Sequence, residues 1–260
     1  MELNLNNKSA LVCGSTQGIG HATAVALASE GTRVTLVARN EEKLKKIVSE
    51  LPKTAAHDYI VADFSNPEEL KINVEKYLNS HKGFHILINN TGGPRSGAIL
   101  EATLEQFESA FTQHLKCNHV LTQLVVPFMK SEKYGRIINV ISTSVKEPIE
   151  GLGVSNTIRN AVGNWSKTLS FELGAFGITV NNVLPGFTET ERLNEIIEVK
   201  AKKANVSFKE MQSIMKTYTP AKRFAKPEET ANTIVFLASE AAGYINGINI
   251  PVDGGRTKSL

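Results

Sequence analysis

Short apolar runs alternate with longer stretches of helical periodicity from one end of the chain to the other. The runs at Ser9–Cys13, Arg33–Ala38, 59–62, Ile86–Asn89, 137–141, 178–184 and Asn249–Val252 predict strands. Several lack period-two alternation, the pattern of parallel strands covered on both faces. Between them, 103–129 carries Phe107, Phe111, Leu115 and Val125 on one stripe, and 154–174 carries Ile158, Val162, Trp165 and Leu169 at helical spacing. Strand–helix–strand alternation requires right-handed crossovers, so the expected fold class is α/β with a doubly wound, seven-stranded parallel sheet. No repeat, low-complexity tract or Pro/Gly-rich linker divides the sequence, and residues 1–260 are expected to form a single domain. The segment 188–220, with Lys200, Lys202, Lys203, Lys209 and Lys216, is more polar than its neighbours. It is read as a helical insertion before the last helix, placed as a substrate lid over the carboxyl ends of the strands.

Composition adds exclusions. The net charge of +3 comes from scattered lysines, and the densest runs, Lys43-Leu44-Lys45-Lys46 and Lys200-Ala201-Lys202-Lys203, lie on helix-like segments. They read as solvated helix faces, so no nucleic-acid partner is expected. Met1-Glu2-Leu3-Asn4 has no basic region leading into an apolar stretch. No apolar run approaches the ~18–20 residues that span a bilayer, so no membrane partner is expected and the expected location is cytoplasmic. Cys13 and Cys117 both sit in apolar segments and read as reduced core residues, without metal-ligand spacing.

The first predicted strand runs straight into Cys13-Gly14-Ser15-Thr16-Gln17-Gly18-Ile19-Gly20, and a helix follows. Glycines at that junction allow a tight turn at Gly14 and close backbone approach to a pyrophosphate, whose charge falls at the helix N-terminus. Gly14, Ser15, Gln17, Gly18, Ile19 and Gly20 are therefore candidate cofactor residues, because strand, glycine loop and helix follow in that order. The second strand ends in Val37-Ala38-Arg39-Asn40. A free ribose 2′-hydroxyl calls for an acidic residue there, whereas Ala38 followed by Arg39 suits a 2′-phosphate through a charge-assisted contact. The expected cofactor is NADP(H); the bland alternative for Arg39 is a solvated arginine opening a turn.

The three-residue gap between Gly14 and Gly18 resembles the glycine motif of short-chain dehydrogenases/reductases, with Cys13 where threonine is common. Further landmarks follow in order over nearly the whole chain. Asp63 in Ala62-Asp63-Phe64-Ser65 matches the family's adenine-contacting aspartate, with Phe64 beside it. Asn89-Asn90-Thr91-Gly92 resembles the turn that passes under the adenosine ribose, which assigns Asn90 and Gly92 to the cofactor site. Pro185-Gly186-Phe187-Thr188 resembles the turn that holds the nicotinamide carboxamide, and Asn246 to Gly255 resembles the final strand and its Asp-Gly-Gly turn. The resemblance implies a Rossmann fold, and the chain resembles the family's 3-oxoacyl-[acyl-carrier-protein] reductase-like members.

Family enzymes carry a serine after the fifth strand, then Tyr-x-x-x-Lys on the next helix, and an asparagine on the preceding one. In that scheme the tyrosine exchanges a proton with the substrate oxygen, and the lysine depresses the tyrosine and binds the nicotinamide ribose. Here Ser142 stands at the serine position, but the tyrosine position falls on Ser155 and the lysine position on Arg159. His114 falls on the asparagine position, with Asn118 a turn later. A serine hydroxyl is a far weaker acid than a phenol of pKa ~10. Arg159 keeps the positive charge and reaches toward the ribose, yet releases no proton at working pH. His114 reads either as a titratable group or as a packing and hydrogen-bonding residue. Among the tyrosines, only Tyr218 in the lid stands where it could swing over the nicotinamide. Ser155-Asn156-Thr157-Ile158-Arg159 together with Gly92-Gly93-Pro94 resembles a subgroup of the family that has Ser-Asn-x-x-Arg in place of the tyrosine–lysine motif.

The leading expectation is an NADP(H)-dependent oxidoreductase acting on a small-molecule carbonyl or alcohol. In it, Ser142, Ser155 and Arg159 polarise the oxygen, and a proton comes from water, His114 or the substrate. The alternatives are an NADP(H)-binding sensor or non-catalytic subunit, and non-redox chemistry in the same pocket. The lid sequence shows no aromatic cage or arginine clamp that points to one substrate class. The resemblance also implies a homotetramer or homodimer built through 103–129, 154–174 and the final strand, and Trp165 and Phe171 on different faces of one helix fit that expectation.

Overall fold

The apolar runs become β1 (Ser9–Cys13), β2 (Arg33–Ala38), β3 (Asp58–Val61), β4 (Ile86–Asn89), β5 (Gly135–Val140), β6 (Ile178–Pro185) and β7 (Asn249–Val252) in the computed structural model, which describes residues 1–259. β3 and β5 start earlier than the apolar runs suggest, since backbone pairing at Asp58 and Gly135 needs no apolar side chain. All seven strands are parallel, in the order β3-β2-β1-β4-β5-β6-β7. The order reverses between β1 and β4, which opens a crevice at the carboxyl ends of those strands.

The helices are α1 (Gly18–Ser29), α2 (Glu41–Glu50), α3 (Pro67–Leu78), α4 (Leu104–Phe111), α5 (Cys117–Glu132), α6 (Gly153–Leu173), α7 (Glu191–Ala204), α8 (Phe208–Thr217) and α9 (Pro227–Ala238). Successive residues of β1 serve opposite faces of the sheet. Ala10 and Val12 pack with Leu27 of α1, Leu44 of α2 and Ile234 of α9, whereas Leu11 and Cys13 pack with Leu70 of α3 and Leu121 of α5. Burial on both faces accounts for the absence of alternation in the strand sequences.

Two features were not expected. The helix predicted over 103–129 is interrupted by a π-turn, Thr112–Lys116, between α4 and α5. Such wide turns insert a residue and frequently accompany functional sites. The second feature is a ladder of side-chain amides, buried on β4, β5 and β6 and partly buried on β7. Asn89, Asn139, Asn182 and Asn249 stand in register on β4, β5, β6 and β7. Asn89 donates to Asn139 at 2.8 Å, Asn139 to Asn182 at 2.9 Å and Asn182 to Asn249 at 2.7 Å. Each link pairs a buried amide donor with its neighbour's oxygen, whereas Asn89 Oδ1, at the β4 end, is buried without a partner.

The segment 188–220 contains α7 and α8, capped by Thr190 and Ser207. Leu193, Ile197 and Ala201 pack on Met211, Met215 and Phe224, a small core separate from the two faces of the sheet. Among the described residues, no helix is long and apolar enough to cross a membrane, and no cluster of metal-ligating side chains occurs.

Candidate active site

A cleft of about 660 Å³ runs along the carboxyl ends of the strands. At its start, β1 turns into α1 through Gly14, whose φ of +58° suits glycine. A β-carbon there would lie 2.5 Å from the Asn90 carbonyl oxygen. Asn90 in turn donates through Nδ2 to the carbonyls of Cys13 and Gly14. The N-terminus of α1 has no side-chain cap and no acidic residue in its first turn. By contrast, α2 and α3 are capped by Asn40 and Asn66 and carry Glu41, Glu42, Glu68 and Glu69. The first N–H groups of α1 therefore stay open to an anion, and the helix dipole favours one.

Of the expected cofactor residues, Gly14, Gln17, Gly18, Ile19, Arg39, Asp63, Phe64, Asn90, Gly92, Arg159, Pro185, Gly186 and Thr188 all line this cleft. Ser15 and Gly20 do not. Ser15 is fully buried with its hydroxyl toward Val37 O, and a β-carbon on Gly20 would lie 2.2 Å from Gly14 O. Both lie behind the loop and set its packing.

Ser142, Ser155 and Arg159 come together at the other end. Ser142 follows β5, and its Oγ accepts from Ser144 N at 3.1 Å, which leaves its own proton to be donated. Ser155 and Arg159 stand one turn apart on α6, and both are buried. Arg159 Nη1 donates to Val140 O at 2.9 Å, while its Nε is buried without a partner. Burial, and then the charge of Arg192, lower the Arg159 guanidinium to about 10, so it remains charged at neutral pH.

His114 does not line the cleft. It lies in the π-turn at 1 % exposure, with Nδ1 bonded to Thr91 Oγ1 and Nε2 unpartnered. Burial, and then the charge of Arg159, push its pKa well below the usual 6.5. A buried neutral imidazole cannot act as a charged acid. Tyr218 is also displaced from its expected place: it caps α8, is half-exposed, and does not line the cleft. Tyr134 lies at the opposite end of the sheet, where it donates to Ala238 O. No tyrosine lines the cleft among the described residues.

Two cations in the cleft escaped the sequence reading. Lys43 is exposed on α2, as expected, and also lines the cleft together with Arg39; the signal was Asn40, whose cap on Lys43 N sets that residue in the first turn of α2. Arg192, in the segment where no arginine clamp was expected, also lines the cleft and donates to Pro94 O. No local pattern marked it, because the bond spans 98 positions of sequence.

Comparison with known proteins agrees with this architecture. The family described as Enoyl-(Acyl carrier protein) reductase matches residues 14–257. The chain is 30 % identical over 259 residues to NADPH-dependent reductase BacG of Bacillus subtilis, covering 98 % of this chain and 100 % of that protein. It is 32 % identical over 259 residues to 3-oxoacyl-[acyl-carrier-protein] reductase FabG of Aquifex aeolicus, covering 98 % and 99 %. The crystal structure of L-sorbose reductase from Gluconobacter frateurii, complexed with NADPH and L-sorbose, superposes with a TM-score of 0.93 at 32 % identity over 100 % of both chains. With a matching family profile across the cleft-forming segments and a shared seven-stranded parallel sheet, the chain belongs to the short-chain dehydrogenase/reductase family of oxidoreductases.

Proposed function

We propose that this protein is an NADP(H)-dependent oxidoreductase that interconverts a carbonyl and an alcohol at a centre built from Ser142, Ser155 and Arg159. The observation that carries the reading is one continuous cleft, with an open helix N-terminus and the Arg39–Lys43 pair toward one end and these three residues at the other. Two similar proteins support the cofactor reading: one is named an NADPH-dependent reductase, and one structure holds NADPH.

When bound, the nicotinamide supplies or accepts the hydride. Gly14, Gln17, Gly18, Ile19 and the α1 N-terminus would hold the pyrophosphate. Arg39 and Lys43 would hold the 2′-phosphate. Asp63 and Phe64 would hold the adenine, Asn90 and Gly92 the ribose, and Pro185, Gly186 and Thr188 the carboxamide. Ser142 donates its hydroxyl proton to the substrate oxygen as a hydrogen bond, with Ser155 as a second hydroxyl. Arg159 stabilises the negative charge that grows on that oxygen in the reducing direction. The alkoxide then takes its proton from water, since His114 is neutral and lies behind the cleft. Reaction with simple ketones is slow, because a positioned general acid is typically worth ~10²–10⁴-fold.

A second reading, an NADP(H)-binding protein without turnover, is favoured by the lack of a tyrosine in the cleft. Loss of NADPH absorbance against a panel of carbonyls separates the two: consumption supports the oxidoreductase, and tight NADPH binding without consumption supports the sensor. We further propose a homo-oligomer, since Leu104, Phe171 and Phe176 are exposed on and beside α4 and α6. Two buried free cysteines fit a reducing, cytoplasmic setting.

A further inference from the structure

The reacting end of the cleft holds more positive charge than the proposed reaction needs. Arg159 of α6 and Arg192 of α7 line the same space, walled by Leu152, Phe187 and Ile196. The Arg192 guanidinium is fixed across the opening: Nη2 donates to Pro94 O, and Nη1 reaches Glu195 at 2.9 Å. A β-carbon at Gly93 would lie 3.7 Å from Arg192 Nε, so the side chain rests along the Gly92-Gly93-Pro94 loop. These contacts use two of the five guanidinium donors.

No acidic residue answers this pair from within the cleft. Asp63, the one carboxylate lining it among the described residues, follows β3 at the far edge of the sheet. Glu195 does not line the cleft, and its side chain is 63 % exposed, where an ion pair is weak. The two arginines also sense each other, for the charge of Arg192 is a cause of the lowered Arg159 pKa. Like charges facing one partly desolvated space are an arrangement that an anion completes. The cofactor's phosphates have their own partners at α1, Arg39 and Lys43, which leaves Arg192 to another anion.

We propose that the substrate is an oxo acid or hydroxy acid, and that Arg192 determines this specificity by pairing with its carboxylate while Arg159 faces the reacting oxygen. The proposal rests on the oxidoreductase reading above for the identity of the second group, and it adds the substrate class. A guanidinium fork suits a planar carboxylate with two parallel hydrogen bonds, which a lysine ammonium cannot reproduce.

The test is binding to the protein saturated with NADP⁺, followed by calorimetry, with pyruvate, acetoacetate, levulinate and benzoylformate, each beside its methyl ester. At least one acid is expected to bind about tenfold more tightly than its ester, as a charge-assisted bidentate pair allows. Arg192→Gln should abolish that preference, Arg192→Lys should keep part of it, and both should leave NADP⁺ affinity within about twofold. Equal binding of every acid and its ester overturns the proposal. So does a loss of NADP⁺ affinity in Arg192→Gln as large as the loss of acid affinity, which would make Arg192 a pyrophosphate ligand. NADPH consumption is read separately. Acid-selective binding without consumption supports the carboxylate site and overturns the redox reading; consumption of esters as readily as acids does the reverse.

Discussion

Replacing Asn139 with alanine should destabilise the protein far more than its small volume suggests. Asn139 is fully buried in the middle of the amide ladder, accepting from Asn89 and donating to Asn182. Alanine removes both bonds and strands two buried groups, Asn89 Nδ2 and Asn182 Oδ1. Each orphan costs about 1–3 kcal/mol, so the expected loss is about 2–6 kcal/mol. Asn89→Ala strands only one group, Asn139 Oδ1, and should cost about 1–3 kcal/mol. The double variant again strands one group, Asn182 Oδ1. The two losses must therefore fall short of additivity by about two orphans, or about 2–6 kcal/mol. Urea unfolding at one fixed protein concentration measures this, provided the slopes agree. Additive losses, or a loss below about 1 kcal/mol for Asn139→Ala, would show that water or relaxation satisfies the stranded groups and that the ladder is not a coupled unit. The consequence reaches the cleft, because the segments after β4, β5 and β6 supply Asn90, Ser142 and Gly186 to it.

Four further outcomes are expected. Arg39→Ala and Lys43→Ala should each weaken NADPH binding by about 1–3 kcal/mol in calorimetry and leave NADH binding unchanged, as for a lost charge-assisted contact; equal wild-type affinity for NADPH and NADH would end that assignment. Ser155→Tyr with Arg159→Lys should lower whatever native turnover exists, since a phenol fills space now lined by Ser155; a brisk general ketone reductase that keeps its native activity would mark the present residues as simple decay. His114 is held neutral when folded, so the unfolded chain binds more protons as pH drops through about 6.5 and stability falls on the acid side; His114→Asn should flatten the acid-side stability curve measured by denaturation, and an unchanged slope refutes the burial argument. Light scattering at micromolar concentration should give a dimer or tetramer, and a monomer would contradict the oligomer proposal.

What the sequence determined by itself is local or repetitive. Runs such as Leu11-Val12-Cys13 and Ile86-Leu87-Ile88, apolar at every position, require cover on both faces, and that requirement alone implies parallel strands with helices on either side. Gly14 between a strand and a helix marked the tight turn that opens the cleft, because only glycine tolerates both the positive φ and the nearby Asn90 carbonyl. That Ser155 and Arg159 stand one turn apart on one helix was equally legible, since spacing along a helix survives into the fold.

Tertiary structure decided whatever depends on which distant segments meet. His114 could be exposed and titratable or buried and neutral, and only the π-turn packed near Arg159 made it the second. Four asparagines scattered through the chain carried no pattern until the strand order set them side by side. Lys43 and Arg192 looked like ordinary helix-surface charges, and nothing in their neighbours distinguishes them from Lys46 or Lys200. Their place in the cleft follows from the crossovers that carry α2 past the end of β2 and bring α7 to the loop after β4. Charge and hydrogen bonding act through space, whereas periodicity reports only along the chain; so the fold and the glycine turn were readable early, and the electrostatics around Arg159 were not.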